Sequence, residues 1–324
     1  MERDREEQLA HIRRLETWRT RELLRRYGMV VAFALLILGL SLLSDSFLTA
    51  RNILNVARQV SINAIIAAGM TFVILTAGID LSVGSVLAFT GAVMAGLLSG
   101  GRPVAVAIAT GLALGALLGL VNGLIISRGK VQPFIATLSM LTIARGATLV
   151  YTGGRPITGL PESFVWLGAG EVGSIPVPVL IMAAVFFVCY FVLTQTVLGR
   201  YTYAIGGNEE AARLSGVNVA FYKTLVYVIS GVLTTISAII LTARLNSAQP
   251  TAGITFELDA IAAVVLGGTT LAGGEGGIGG TLLGALVIGV LNNGLNLLNV
   301  SSFYQQVVKG VVILLAVLLD RRLR

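Results

Sequence analysis

Apolar residues fall along this chain in long runs separated by short polar breaks, at 28–44, 60–78, 83–100, 103–127, 133–152, 176–198, 221–243, 258–273, 278–299 and 304–319. A hydrocarbon core takes about 20 residues of helix, and inside a bilayer every backbone polar group must bond within its own segment. The pattern therefore predicts an all-α polytopic membrane protein of about ten transmembrane helices, the eighth being the shortest and the least sharply bounded. The expected organisation is an arginine-rich segment over 1–27, a membrane domain over 28–320 carrying one long loop at 199–220, and a tail at 321–324.

The polar breaks give the orientation. An even number of spans leaves both ends on one side, and both ends are rich in arginine, so the positive-inside rule puts them in the cytoplasm. On that topology sixteen of the 23 Lys and Arg residues lie inside. Arg51 and Arg58 fall outside, in "TARNILNVARQ", a stretch that reads as an interfacial helix capped by Thr49.

Composition agrees: 55% hydrophobic and 12% charged residues cannot cover one soluble core of 324 residues. The lone cysteine, Cys189, sits in an apolar run, and the lone histidine, His11, in the charged N-terminal segment. That excludes a disulfide framework, a thiolate metal cluster and a Ser-His relay. The N-terminal segment is too long and too acidic for a cleaved signal peptide. Leu9, Ile12, Leu15 and Trp18 recur in it at about helical spacing, which leaves a surface helix and a solvated tail both open.

Gly111, Gly115, Gly119 and Gly123 draw one stripe along the fourth span, and Gly280 and Gly284 begin another in the ninth; such stripes let a second backbone approach. The glycine-rich 267–280 contains no lysine, so it is a close-packed turn and not a phosphate-binding loop. Two faces within the spans are polar: Asn292, Asn296 and Asn299 at i, i+4, i+7, and Ser139, Thr142 and Arg145. Each either bonds neighbouring helices or lines a wet passage, with Arg145 and Lys309 near enough to the outer interface to snorkel. Asp80, in "TAGIDLSVGS", falls in the expected cytoplasmic turn between the second and third spans and is read as the cap of the third helix. The alternative is a broken helix lining the path.

The long loop encodes a short helix outside the membrane. Asn208 is a good N-cap, Glu209 and Glu210 place negative charge on the first turn, Arg213 follows Glu209 by four residues, and Gly216 supplies the stop. Its small face of Ala211, Ala212 and Ser215 suits a groove on another protein, the alternative being a solvated connecting helix.

"EAARLSG", 210–216, matches the Glu-Ala-Ala-x-x-x-Gly loop of bacterial ABC importer permeases. With "NAIIAAGMTFVILTAGIDLSVGSVLAFTGAV", "SAQPTAGITFELDAIAAVVLGGTTLAGG" and "LGALVIGVLNNGLNLLNVSSFYQQVVKGVVILLAVLLD", the chain over roughly 28–320 resembles the ribose permeases of the monosaccharide ABC importers, whose plan the xylose, arabinose, galactose and autoinducer permeases share. The resemblance does not explain the N-terminal extension, and Glu275 stands where it leads one to expect a basic residue.

The resemblance implies a multi-pass subunit of the bacterial cytoplasmic membrane, without catalysis, metal or cofactor of its own, ATP and Mg being held by a partner ATPase. It implies a second copy of the permease, an ABC ATPase docking on 208–216 as a coupling helix, a soluble sugar-binding protein and membrane lipid as partners, and no nucleic acid. Arg155, Arg244, Gln249, Glu257 and Asp259 are then candidates for docking the binding protein. An ion-coupled secondary transporter is the rival class, and it needs a titratable group at mid-membrane, for which Asp80 is the candidate.

Overall fold

The structure, a computed structural model, describes residues 28–323. His11 and the Leu9–Trp18 spacing lie outside the described residues. The chain forms α1 (Gly28–Leu43), α2 (Ala50–Leu75), α3 (Val83–Ser99), α4 (Val104–Ser127), α5 (Pro133–Thr152), α6 (Glu162–Ala169), α7 (Val177–Gln195), α8 (Val197–Gly207), α9 (Glu209–Leu214), α10 (Val219–Leu245), α11 (Phe256–Leu266), α12 (Ile278–Leu297) and α13 (Ser302–Leu323). Two antiparallel pairs of very short strands complete it: β1 (Ile157–Thr158) with β4 (Ser247–Ala248), and β2 (Glu171–Val172) with β3 (Ile175–Pro176). Among the described residues six helices, α2, α4, α5, α7, α10 and α12, are long and apolar enough to cross a membrane. This is an all-α polytopic membrane architecture.

Antiparallel α2 and α10 form the centre. Gly69 of α2 lies against Ser230 and Leu233, and Ser237 Oγ donates to the Ile62 carbonyl at 2.9 Å. From Val60 onward every residue of α2 except Asn63 is buried. The expected interfacial helix at "TARNILNVARQ" is instead the first turns of α2, which Thr49 caps by accepting from the Asn52 N–H. Asn52 and Asn293 then exchange two amide bonds of 3.0 and 2.9 Å, fastening the start of α2 to α12.

The glycine stripe of α4 packs on α10 and α3. A Cβ on Gly123 would lie 2.7 Å from Thr224 Cα, and one on Gly119 would lie 2.9 Å from Val228 Cα. Both obstacles are backbone, so the helices would have to separate, and overpacking of this kind costs about 1–3 kcal/mol. Gly119→Val is expected to lower the melting temperature of the purified protein in detergent. Gly146→Ala on α5, where nothing lies within 4 Å, should leave it unchanged.

Among the described residues three expected spans, α1, α3 and α11, form helices of 17 residues or fewer. The expected eighth is α11, eleven residues long and so about 16 Å, roughly half a hydrocarbon core. The third, α3, starts inside the bundle. Asp80 lies against Ser230 and Gly91 against Thr242, so α3 runs parallel to α10 from about 16 Å along that helix. After β4 the chain turns inward as well: Gly253, at φ 73°, packs backbone to backbone on Gly84 in the first turn of α3, and α11 begins three residues later. A Cβ on Gly253 would lie 3.0 Å from Gly84 Cα, and its φ strains any other residue, so glycine is required there twice over.

Candidate functional site

Three groups of residues are built for more than packing: a helix outside the bundle, a buried polar break, and a cavity.

The helix is α9. Asn208 Oδ1 accepts from the Ala211 N–H at 2.9 Å, and Arg213 pairs with Glu209 at 3.1 Å and with Glu210 at 2.8 Å. Gly216, at φ 86°, donates its N–H to the Arg213 carbonyl and ends the helix. Lys223 at the start of α10 also reaches Glu209, at 2.9 Å, so α9 is tied to the helix that follows it. The free face differs from the expected one: Ala212 is buried against Ile205 and Val219, while Leu214 is 81% exposed beside exposed Ala211 and Ser215. A spacing argument picks out small residues and cannot know that α8 and α10 cover Ala212.

Upstream, α8 wedges into the bundle. Gly206 is pressed between the Leu75 carbonyl at the end of α2 and Gly274 in the turn before α12, and the Gly274 N–H donates to that carbonyl at 3.0 Å. Tyr203 donates to the Gly276 carbonyl at 2.9 Å, and burial raises its phenol above the ordinary tyrosine value, keeping it a donor. The glycine-rich 267–280 is thus a close-packed turn, seated between α8 and α2.

The polar break joins α2 to α3. Ala77 takes a left-handed conformation, φ 58°, which costs a non-glycine residue about 1–2 kcal/mol. The chain then returns into the bundle, where Asp80 is only 3% exposed. Its Oδ1 accepts from the Ser82 N–H at 3.0 Å and the Ser82 hydroxyl at 2.6 Å, and its Oδ2 accepts from Ser230 Oγ at 2.9 Å. Asn122 of α4 donates to Ser82 Oγ, and Tyr227 of α10 and Thr137 of α5 donate to the Ile79 carbonyl. Asp80 therefore lies inside the bundle. The N-cap position of α3 is Ser82, without a side-chain cap bond, and Asp80 anchors the turn before it.

The cavity, of about 200 Å³, lies between α2, α10, α11, α12 and α13, towards the end where α10 finishes. It brings together Asn292 and Asn296 with Arg244 and Asp259. Lys309 does not snorkel: its ammonium reaches the Asp259 carboxylate at 2.9 Å, with both side chains largely buried. Arg244 and Asp259, expected on an outer docking surface, are cavity walls: Arg244 stands in the last turn of α10, and the inward turn after β4 brings Asp259 to it. Of the other docking candidates, Arg155 is exposed, Gln249 donates to Ser247 Oγ, and Glu257 lies against Gly84 at the start of α3.

The two polar faces separate. Ser139 and Thr142 return their hydroxyls to the Ile135 and Leu138 carbonyls of their own helix on an exposed face of α5, away from the cavity. Arg145 donates to the Pro250 and Ala252 carbonyls at 2.7 and 2.9 Å, pinning the inward-turning segment to α5. Asn299 is an exposed left-handed residue, φ 54°, just after α12. Among the described residues no group of three His, Cys, Asp or Glu side chains is placed to hold a metal.

Residues 52–317 match the family described as branched-chain amino acid transport system / permease component. The chain is 56% identical over 301 residues to the ribose import permease protein RbsC of Bacillus subtilis, covering 92% of this chain and 94% of that one. It is 55% identical to the protein of the same name from Escherichia coli K12, covering 94% and 96%. To the D-allose transport system permease protein AlsC of E. coli K12 it is 42% identical, covering 91% of each.

Proposed function

Given that the chain belongs to the branched-chain amino acid transport system / permease component family, and is a multi-pass protein of the bacterial inner membrane, we propose that it is the permease subunit of an ABC importer for ribose. It works as a pair of copies, with both ends in the cytoplasm, ten membrane-embedded helices per copy, ATPase subunits docked on α9 and a soluble sugar-binding protein on the opposite face. ATP and Mg belong to the ATPase, and the chain performs no covalent chemistry.

The observation that carries this reading is the way α9 is built and attached. Its exposed Leu214 and small neighbours suit insertion into a groove, Arg213 braces it internally, the Glu209–Lys223 ion pair holds it to α10, and α8 leads from it to Leu75 at the end of α2. Closure of the ATPases on ATP would move α9, and α8 would carry that movement to the α2 end and the 267–277 turn. Those two segments hold the short helices α3 and α11, whose starts meet at Gly84 and Gly253. A shift there opens or closes the cavity beside α11, which is alternating access by rigid elements about short breaks.

Vesicles containing the chain, its ATPase and its binding protein are expected to accumulate labelled ribose only when ATP is present, with unlabelled ribose competing better than arabinose or allose. Uptake that persists without ATP and collapses with the proton gradient would replace this reading by the ion-coupled one, for which Asp80 is the group at hand.

A further inference from the structure

The cavity wall is unfinished as a piece of packing. Asn292 is 8% exposed, and among the described residues its buried Oδ1 has no hydrogen-bond partner; Asn63 Oδ1 is in the same condition. Leaving one such acceptor unbonded costs about 1–3 kcal/mol, so two in one wall call for something that donates to them. Asp259 adds a third acceptor. Lys309 Nζ at 2.9 Å and Asn63 Nδ2 at 3.5 Å both fall on its Oδ2, and among the described residues no donor reaches Oδ1. The Arg244 guanidinium also lines the cavity and has no carboxylate partner among the described residues. Acceptors and donors thus share the lining of about 200 Å³ of space.

We propose that this cavity is a subsite for a neutral polyhydroxylated solute, in which Asp259 Oδ1, Asn63 and Asn292 accept from vicinal hydroxyls and Arg244 donates to a hydroxyl or ring oxygen. Lys309 is a positioning residue: it occupies Oδ2 and so aims Oδ1 into the cavity. A hydroxyl is both donor and acceptor, so a polyol satisfies a mixed lining of donors and acceptors that an apolar solute would leave orphaned. This rests on the importer reading above, since the cavity lies beside the helices that reading sets in motion.

Asp259→Asn is expected to lower ribose uptake, measured as kcat/KM in vesicles with ATPase and binding protein, by tenfold or more. ATP hydrolysis stimulated by loaded binding protein should stay within twofold of the unmodified complex, which also reports folded, assembled protein. A purely structural ion pair predicts something different from Asp259→Asn combined with Lys309→Gln, because neutralising both members removes the unpaired charge and restores uptake. Here the double variant is expected to remain as low as Asp259→Asn. Its recovery to within twofold of the unmodified protein, or normal uptake by Asp259→Asn, overturns the subsite while leaving the importer reading intact. Ligand-observed NMR of ribose with the purified chain needs neither ATP nor partners. A signal lost in Asp259→Asn supports the subsite even if ATP-driven uptake fails, and no signal with the unmodified chain overturns it.

Discussion

Asp80→Ala is expected to destabilise the folded chain by about 3 kcal/mol and to abolish import, whereas Asp80→Asn retains both. Alanine removes the acceptor for three donors at once, the Ser82 N–H, Ser82 Oγ and Ser230 Oγ, in a place that water does not reach. Hydroxyls can turn to other partners, but the Ser82 N–H cannot, and the turn that returns the chain into the bundle depends on it. Asparagine keeps an oxygen for Ser82 and offers an N–H to Ser230, whose hydroxyl can accept as well as donate. Melting temperature in detergent and ribose uptake in vesicles, measured on both variants, separate geometry from charge. If Asp80→Asn folds normally and does not transport, the carboxylate's charge takes part in transport, and the anchoring account of Asp80 is wrong.

Gly216→Pro and Leu214→Asp are both expected to abolish uptake and binding of the ATPase while leaving the chain inserted and folded. They reach that result by different routes. Gly216 holds φ 86°, which proline's ring forbids, and it donates to the Arg213 carbonyl through an N–H that proline lacks. The exit of α9 must therefore rebuild, at a cost of about 3 kcal/mol confined to a segment outside the bundle. Leu214 is exposed, so its replacement by aspartate changes folding by about 0.5 kcal/mol or less and removes the one large apolar side chain that α9 offers a partner. Co-purification with the ATPase is the decisive measurement. Normal association of Leu214→Asp would show that the ATPase docks elsewhere.

Much of the fold was legible because a bilayer leaves a chain few choices. The length of each apolar run is set by hydrocarbon thickness, and α4, α5, α7 and α12 begin within two residues of the starts read from hydropathy. The α9 signals were legible for a related reason: N-caps, i to i+4 pairs and a terminal glycine act within one or two turns, so neighbours in sequence suffice to encode them. What hydropathy could not give was depth. "TAGIDLSVGS" and "SAQPTAGITFELD" both look like breaks at a membrane surface, yet both turn inward to start short helices, α3 and α11. Their polar atoms find partners on α4, α5 and α10, 40, 107 and 150 residues away.

The candidate site divides in the same way. Asn292 and Asn296 were recognisable, since amides four residues apart in an apolar helix share one face. Asp259, Arg244 and Lys309 were assigned to surfaces or to snorkelling because each stands near the end of an apolar run, and nothing local says that α11 starts inside. Ser139 and Thr142 made an equally good face on paper, but a hydroxyl can bond the carbonyl one turn back, and that removes any need for a partner or a wet path.

Sequence alone determined that this is a membrane-embedded helical chain with a capped helix outside the bundle, because both follow from solvent and from interactions within a turn or two. Only the tertiary structure decided which polar residues meet. Asp80 with Ser230, Asp259 with Lys309, and Gly206 with Leu75 are pairings across 150, 50 and 131 residues, and they exist because helices pack in three dimensions in an order that no periodicity records.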